Sequence, residues 1–158
     1  MQRGYAPLKP SEIAEAANVG RSTFYEHFRG KDDLLASTIT PLLEPIARAA
    51  ISDEPDPHLT SVLAHMWDNR GMARLLLNGG NRVLHLRLAE LFEGHLTAQG
   101  TERRLAAASA VYLSDGAWAL LSAWLTGRYA ATPETLGYQL AATSHAAARA
   151  LSRSRSAD

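Results

Sequence analysis

Residues 11–28, S-E-I-A-E-A-A-N-V-G-R-S-T-F-Y-E-H-F, place the tightest limit on what this chain folds into. Two short helical patterns, the first carrying Ile13, Ala14 and Ala17 and the second Phe24 and Phe28, are separated by Asn18-Val19-Gly20. Asn and Gly tolerate left-handed backbone angles, so the break predicts a tight corner in which a buried Val19 pins one helix against the other. A helix-turn-helix is the simplest structure that uses both patterns.

The flanks of this unit are punctuated. Residues 7–10 predict a turn, and Pro10 suits a first helical position because its missing N–H would have no partner there. Lys9 is a poor N-cap, and Ser11 is expected to take that role. Arg29-Gly30 is a stop, after which Lys31-Asp32-Asp33 opens a further helix with two carboxylates near its positive end. Leu35, Ile39, Leu42 and Ile46 recur there at helical spacing, and Pro41 and Pro45 predict a kink or an interruption.

Beyond residues 52–57, S-D-E-P-D-P, which read as a linker, every pattern is helical. Residues 58–69 carry Leu59, Val62, Leu63, Met66 and Trp67, and a short segment follows from Gly71 to Leu77. Asn78-Gly79-Gly80-Asn81 predicts a turn, residues 82–98 a helix ending near Gly100, and residues 101–127 the longest helix. Thr132-Pro133-Glu134 supplies a cap, a first-turn proline and an acid for the last helix. No stretch alternates with period two over a useful length, so the expected fold class is all-α.

Composition narrows the function classes. A chain of 158 residues with 46% hydrophobic content buries an ordinary core, as one domain or one with a small appendage. Without cysteine it has no disulfide, thiolate nucleophile or thiolate metal site, which fits a cytoplasmic location. No apolar run approaches the roughly 20 residues that span a bilayer, and M-Q-R-G-Y-A-P is not a signal peptide, so no membrane partner is expected. Formal net charge is zero, and residues 1–51 hold as many acids as bases, so nucleic-acid binding here needs locally placed cations and is expected to be modest and steeply salt-sensitive.

The longest helix constrains assembly. At about 100° per residue, Val111, Trp118, Leu121 and Leu125 share one side and Leu113, Ala117, Leu120 and Trp124 nearly the opposite one. One side enters the subunit core, and the other calls for a second surface. The last helix is rich in alanine and allows close approach, so a two-fold homodimer through the last two helices is expected, with Leu113, Ala117, Leu120, Trp124, Leu140 and Ala147 at the interface. The alternative is a helix wholly buried in a monomeric bundle.

Residues 17–35, A-N-V-G-R-S-T-F-Y-E-H-F-R-G-K-D-D-L-L, resemble the DNA-binding signature of the TetR family of transcriptional regulators, including its direct run into the next helix. Residues 124–136, W-L-T-G-R-Y-A-A-T-P-E-T-L, are similar to the end of many regulatory domains of that family. The resemblance implies a TetR-like division, with residues 1–46 as head and connecting helix and 47–158 as a regulatory and dimerisation bundle. It also implies a full first helix ahead of the motif. Only Gln2-Arg3-Gly4-Tyr5 stands in its place, so Ile13, Ala17, Phe24 and Phe28 are expected to lack part of their cover.

In a helix-turn-helix the second helix enters the major groove with its leading residues toward base edges. Arg21 forks onto a guanine edge or a phosphate, and the hydroxyls of Ser22 and Thr23 serve either kind of acceptor. Tyr25 and His27 project from the same helix; the resemblance gives Tyr25 a backbone or base-edge contact. Lys31 would hold phosphate beside the N-terminal N–H groups of the following helix.

A small-molecule effector is expected in the C-terminal part. His65, Met66 and Trp67 on one helix and Tyr112, Asp115 and Trp118 on another combine apolar bulk with a few polar groups. Asp115 would meet a cationic or hydroxylated ligand, or else bond within the dimer interface or to a neighbouring helix. Neither His58, His85, His95 and His145 nor the pair His65 and Asp68 has convincing metal spacing, and no cofactor motif or catalytic signature is present. The resulting expectation is a homodimeric, ligand-responsive repressor on a palindromic double-stranded DNA operator. The alternative is a dimeric small-molecule-binding or protein-interaction bundle whose head no longer binds DNA.

Overall fold

The computed structural model describes residues 5–49, 51–52, 56–79 and 81–153. Among them are eight α-helices and no strand: α1 (Pro10–Ala16), α2 (Arg21–His27), α3 (Lys31–Ala49), α4 (Pro57–Asp68), α5 (Arg70–Gly79), α6 (Asn81–Ala98), α7 (Arg103–Leu125) and α8 (Pro133–Arg153). The fold is all-α and TetR-like. Asn78, Gly79 and Asn81, expected in a turn, instead end α5 and open α6, so the helices run on to either side of Gly80. Gly80 and much of the 52–57 linker lie outside the described residues, as do Gln2, Arg3 and Gly4.

Local chemistry accounts for the helix ends. The carboxylate of Glu12 accepts from the Lys9 backbone N–H at 2.8 Å, so α1 begins at Pro10 with Lys9 as its cap, where the sequence had pointed to Ser11. Asp56 caps α4 by accepting from His58 N–H at 2.8 Å. Glu102 does the same for α7 from Arg104 and Leu105, and the Thr132 hydroxyl accepts from Thr135 N–H at 3.2 Å at the start of α8. Exposed Glu134, in that first turn, is held below the ordinary carboxylate range by hydrogen bonds from its own backbone N–H and from Thr132.

The corner between α1 and α2 is made by Asn18, whose φ of 54° is left-handed, while Gly20 is extended. Val19 is 43% exposed and does not pin the corner from inside. Buried Ala14 and Phe24 do so instead, because the left-handed step at Asn18 turns the following side chain outward. A left-handed residue with a branched β-carbon is strained by about 1–2 kcal/mol. Asn18→Gly is therefore expected to leave the thermal midpoint unchanged or slightly raised and Asn18→Val to lower it, as calorimetry would read; equal midpoints would remove the role given to Asn18.

Pro41 and Pro45 do not interrupt α3, which runs unbroken from Lys31 to Ala49. Pro45 is buried, and the helix is held from outside by packing of Leu43, Ile46 and Ala47 against the rest of the bundle. Packing of this kind outweighs the hydrogen bonds that two prolines remove.

The core lies among α3, α4, α6, α7 and α8, with Trp124, Phe92, Leu63, Leu88, Leu121 and Leu140 fully enclosed. Of the described helices, only α7 is long and apolar enough to cross a membrane by composition; Leu113, Ala117, Leu121, Trp124 and Leu125 on it are buried in the bundle, while Val111 and Tyr112 stay exposed. Trp124 sits at the middle: its indole N–H donates to Ala131 O at 2.9 Å and its ring stacks on Trp67, centroids 4.9 Å apart.

Four of the six residues expected at a dimer surface, Leu113, Ala117, Trp124 and Leu140, are at most 4% exposed within one chain and are closed to a partner helix, while Leu120 and Ala147 are half-buried against the same core. The physical reason is that α6 and α8 flank α7 on two sides and cover a wide arc of it. What remains outside is the stripe of Ala108, Val111, Tyr112, Asp115 and Ala119. A parallel stripe of Thr135, Tyr138, Ala142 and Ala146 is exposed on α8.

Candidate nucleic-acid interface and effector cavity

α2 is anchored by one residue and exposed by the others. Phe24, 5% exposed, packs into the head with Phe28 tilted against it at 5.7 Å between ring centroids. Arg21, Ser22, Thr23, Tyr25 and His27 all stand in solvent. A seven-residue helix with a single buried side chain thus offers nearly its whole surface to a partner, with the hydroxyls and the guanidinium at its leading end. Glu26 is exposed on the same helix and opposes an anionic partner there.

Lys31 has a second set of partners. Its ammonium donates to Ala6 O at 2.6 Å and Tyr5 O at 3.2 Å and lies 4.8 Å from the Tyr5 ring centroid. An ammonium has three donors, so one is left for a phosphate. The Tyr5 hydroxyl donates to Asp32 at 2.6 Å, and partial burial followed by this bond pushes its phenol far above the ordinary range. Tyr5, Lys31 and Asp32 together fasten the segment before α1 to the start of α3. Cover of the head is incomplete in the expected way at Ile13 and Phe28, which stay half-buried, and at exposed Ala17, but not at Phe24, which is buried against the head despite the expectation.

The second feature is a partly open cavity of about 130 Å³ bordered by α3, α4, α5, α6 and α7. Ile39, Leu42 and Leu43 of α3 form one wall, and Met72, Ala73, Leu76 and Leu77 of α5 another. His65 and Met66 line it from α4, and Trp118, Leu121 and Leu125 from α7. Of the six residues expected to meet an effector, the structure brings three together here: His65, Met66 and Trp118.

The other three lie elsewhere. Trp67 is taken up by stacking on Trp124, with the Arg70 guanidinium 5.0 Å above its ring. Tyr112 is 63% exposed on the outer face of α7. Asp115 is exposed too, with an oxygen 2.8 Å from His85 Nε2 on α6, near enough for an ion pair but out of line for a hydrogen bond. Asp115 thus has the neighbouring-helix contact among the options its sequence left open. The lining residues missed were those of α3 and α5 together with Asn69, Leu84, Leu121 and Leu125, because apolar spacing cannot tell a side chain that borders a void from one that fills it.

An exposed, short second helix held by one phenylalanine after a left-handed corner, feeding directly into a long helix of an all-α bundle, defines a helix-turn-helix DNA-binding protein. Residues 1–38 match the family described as bacterial regulatory proteins, tetR family, which supports a TetR-family DNA-binding transcriptional regulator. No curated protein matches the chain.

Proposed function

We propose that the protein is a homodimeric, ligand-responsive repressor that reads a palindromic operator with two copies of α2. The observation that carries this is the exposed row Arg21, Ser22, Thr23, Tyr25 and His27 on a helix whose one buried residue fixes it in place. Two-fold symmetry would set the recognition helices about 34 Å apart, one turn of DNA. Residues 1–46 act as head and connecting helix and residues 47–158 as the regulatory and dimerisation part. In this proposal the protein has no catalytic role, needs no cofactor or metal and works in the cytoplasm.

The cavity supplies the response. Ile39, Leu42 and Leu43 belong to the same helix that begins at Lys31 beside the head, so an effector pressing on them displaces α3 and with it the separation of the two heads. Dimerisation uses the outward stripes of α7 and α8, where Tyr112 and Tyr138 stand among alanines that let a second copy approach closely.

The test combines two measurements. Sedimentation at micromolar concentration is expected to give a dimer for the natural chain and a monomer for Tyr112→Asp combined with Ala142→Glu, since a two-fold interface meets each new charge twice. Gel-shift with the DNA upstream of the coding region at low salt is expected to show a complex for the natural chain only. A natural chain that sediments as a monomer, or that shifts no DNA, overturns the proposal.

A further inference from the structure

We infer, building on the ligand-responsive function proposed above, that the cavity selects an uncharged, compact apolar molecule about the size of one aromatic ring and excludes charged effectors. The wall decides the charge. No Lys, Arg, Asp or Glu side chain lines it among the described residues, and the acid that sequence spacing had offered to a cationic ligand, Asp115, is outside it against His85. An ion brought in would lose its hydration and find no counter-charge, which is costly enough to bar entry.

Its size decides the rest. The volume of about 130 Å³ is close to that of an apolar protein cavity, about 150 Å³, that stays dry and takes up benzene. Of two fused or linked rings, only one is covered by these walls, and the second projects through the open side beside exposed Met72. The polar atoms at hand are those of His65 and Asn69, one helical turn apart, with the Asn69 side-chain amide already donating to His65 O at 2.9 Å. One hydroxyl or carbonyl on the ligand has a partner there, and a molecule studded with them does not.

α5 is the wall that opens. None of its described side chains is buried: Ala73, Leu76 and Leu77 are half-covered, and Met72 is 58% exposed over the cavity. Its main polar tie is Arg74 Nε, which donates to Leu125 O at 2.6 Å at the end of α7. A ring filling the cavity completes the burial of Ala73, Leu76 and Leu77 and tightens α5 against α3. The flexible thioether of Met72 can close behind it.

Titration of the full chain with toluene, benzoate, benzylammonium and biphenyl tests this, followed by tryptophan fluorescence, because Trp118 is in the wall, and by ligand-observed NMR. Toluene is expected to bind saturably, with the two ions weaker by about tenfold or more and biphenyl gaining nothing over toluene from its second ring. Ala73→Leu narrows the cavity and is expected to remove toluene binding. Met72→Trp, at an exposed position that folding tolerates, is expected to weaken it independently. Saturable benzoate or benzylammonium binding as tight as that of toluene, or toluene binding that is absent or insensitive to both variants, overturns the inference. Gel-shift of the operator complex separates it from the function it builds on. If toluene binds in the cavity and leaves the DNA complex intact, selectivity stands and the ligand-responsive function falls. If an ion releases DNA while toluene does not bind, the reverse holds.

Discussion

Trp124→Ala is expected to lower the unfolding free energy by about 3–5 kcal/mol, the usual cost of truncating a large aromatic side chain in a core. Trp124 is fully enclosed, stacks on Trp67 and donates its indole N–H to Ala131. The substitution removes the packing, strands a carbonyl and leaves Trp67 facing a void. Against a typical total of about 5–15 kcal/mol, the loss is a large share, and urea titration reads it directly. The outcome also decides between two roles for this residue. At a dimer interface its loss would yield a folded monomer whose stability no longer depends on concentration. In the core it yields a chain with an early, concentration-independent loss of midpoint on top of whatever dimerisation contributes. A stable, folded monomer from Trp124→Ala would overturn the core assignment.

The second large effect is expected at the head. Arg21→Ala combined with Tyr25→Ala should reduce operator affinity by roughly 100-fold or more, since a good base-edge pair is worth about 1–3 kcal/mol and a dimer loses each contact twice. Both side chains are exposed, so the change in thermal stability should stay within about 0.5 kcal/mol. That separation of affinity from stability makes the pair a cleaner probe than Lys31, whose replacement also releases the Tyr5 and Ala6 carbonyls. The natural complex should weaken steeply with salt, because each phosphate neutralised contributes about 0.9 to the logarithmic slope. Retained binding by the double variant would move the DNA surface off α2.

The two effects sit at opposite ends of what sequence can show. The helix-turn-helix was legible because its signals are local: Asn18 takes a backbone angle few residues accept, Phe24 falls where one anchor is needed, and Gly30-Lys31 marks the next start. Several helix ends were legible for the same reason, Thr132 capping within three residues of its own position, whereas the cap at Asp56 lay inside a stretch read only as linker. Glu12 shows the limit of that logic, since a carboxylate three residues into α1 displaced the cap predicted at Ser11. The faces of α7 were not legible. A hydrophobic wheel reports that Leu113, Leu121 and Trp124 avoid water, but not whether α6, α8 or a second subunit covers them.

The apolar cavity follows the same rule. His65, Met66 and Trp118 were within reach of sequence reasoning because they are large or polar residues on helices already placed. Leu42, Leu76 and Leu77 were not, being ordinary apolar residues at ordinary helical spacing. Asp115 drew notice as a carboxylate on an apolar helix, and only the position of His85 on α6 shows what stands beside it.

By itself the sequence determined the all-α class, the position of the second helix of the helix-turn-helix and the residues that helix exposes, because capping, turn chemistry and helical period act over three or four residues. Tertiary structure decided which side of α7 is core, which stripe is left for a partner and where an apolar void remains. Those depend on the distance between helices far apart in the chain, and hydrophobicity is blind to the identity of what excludes the water.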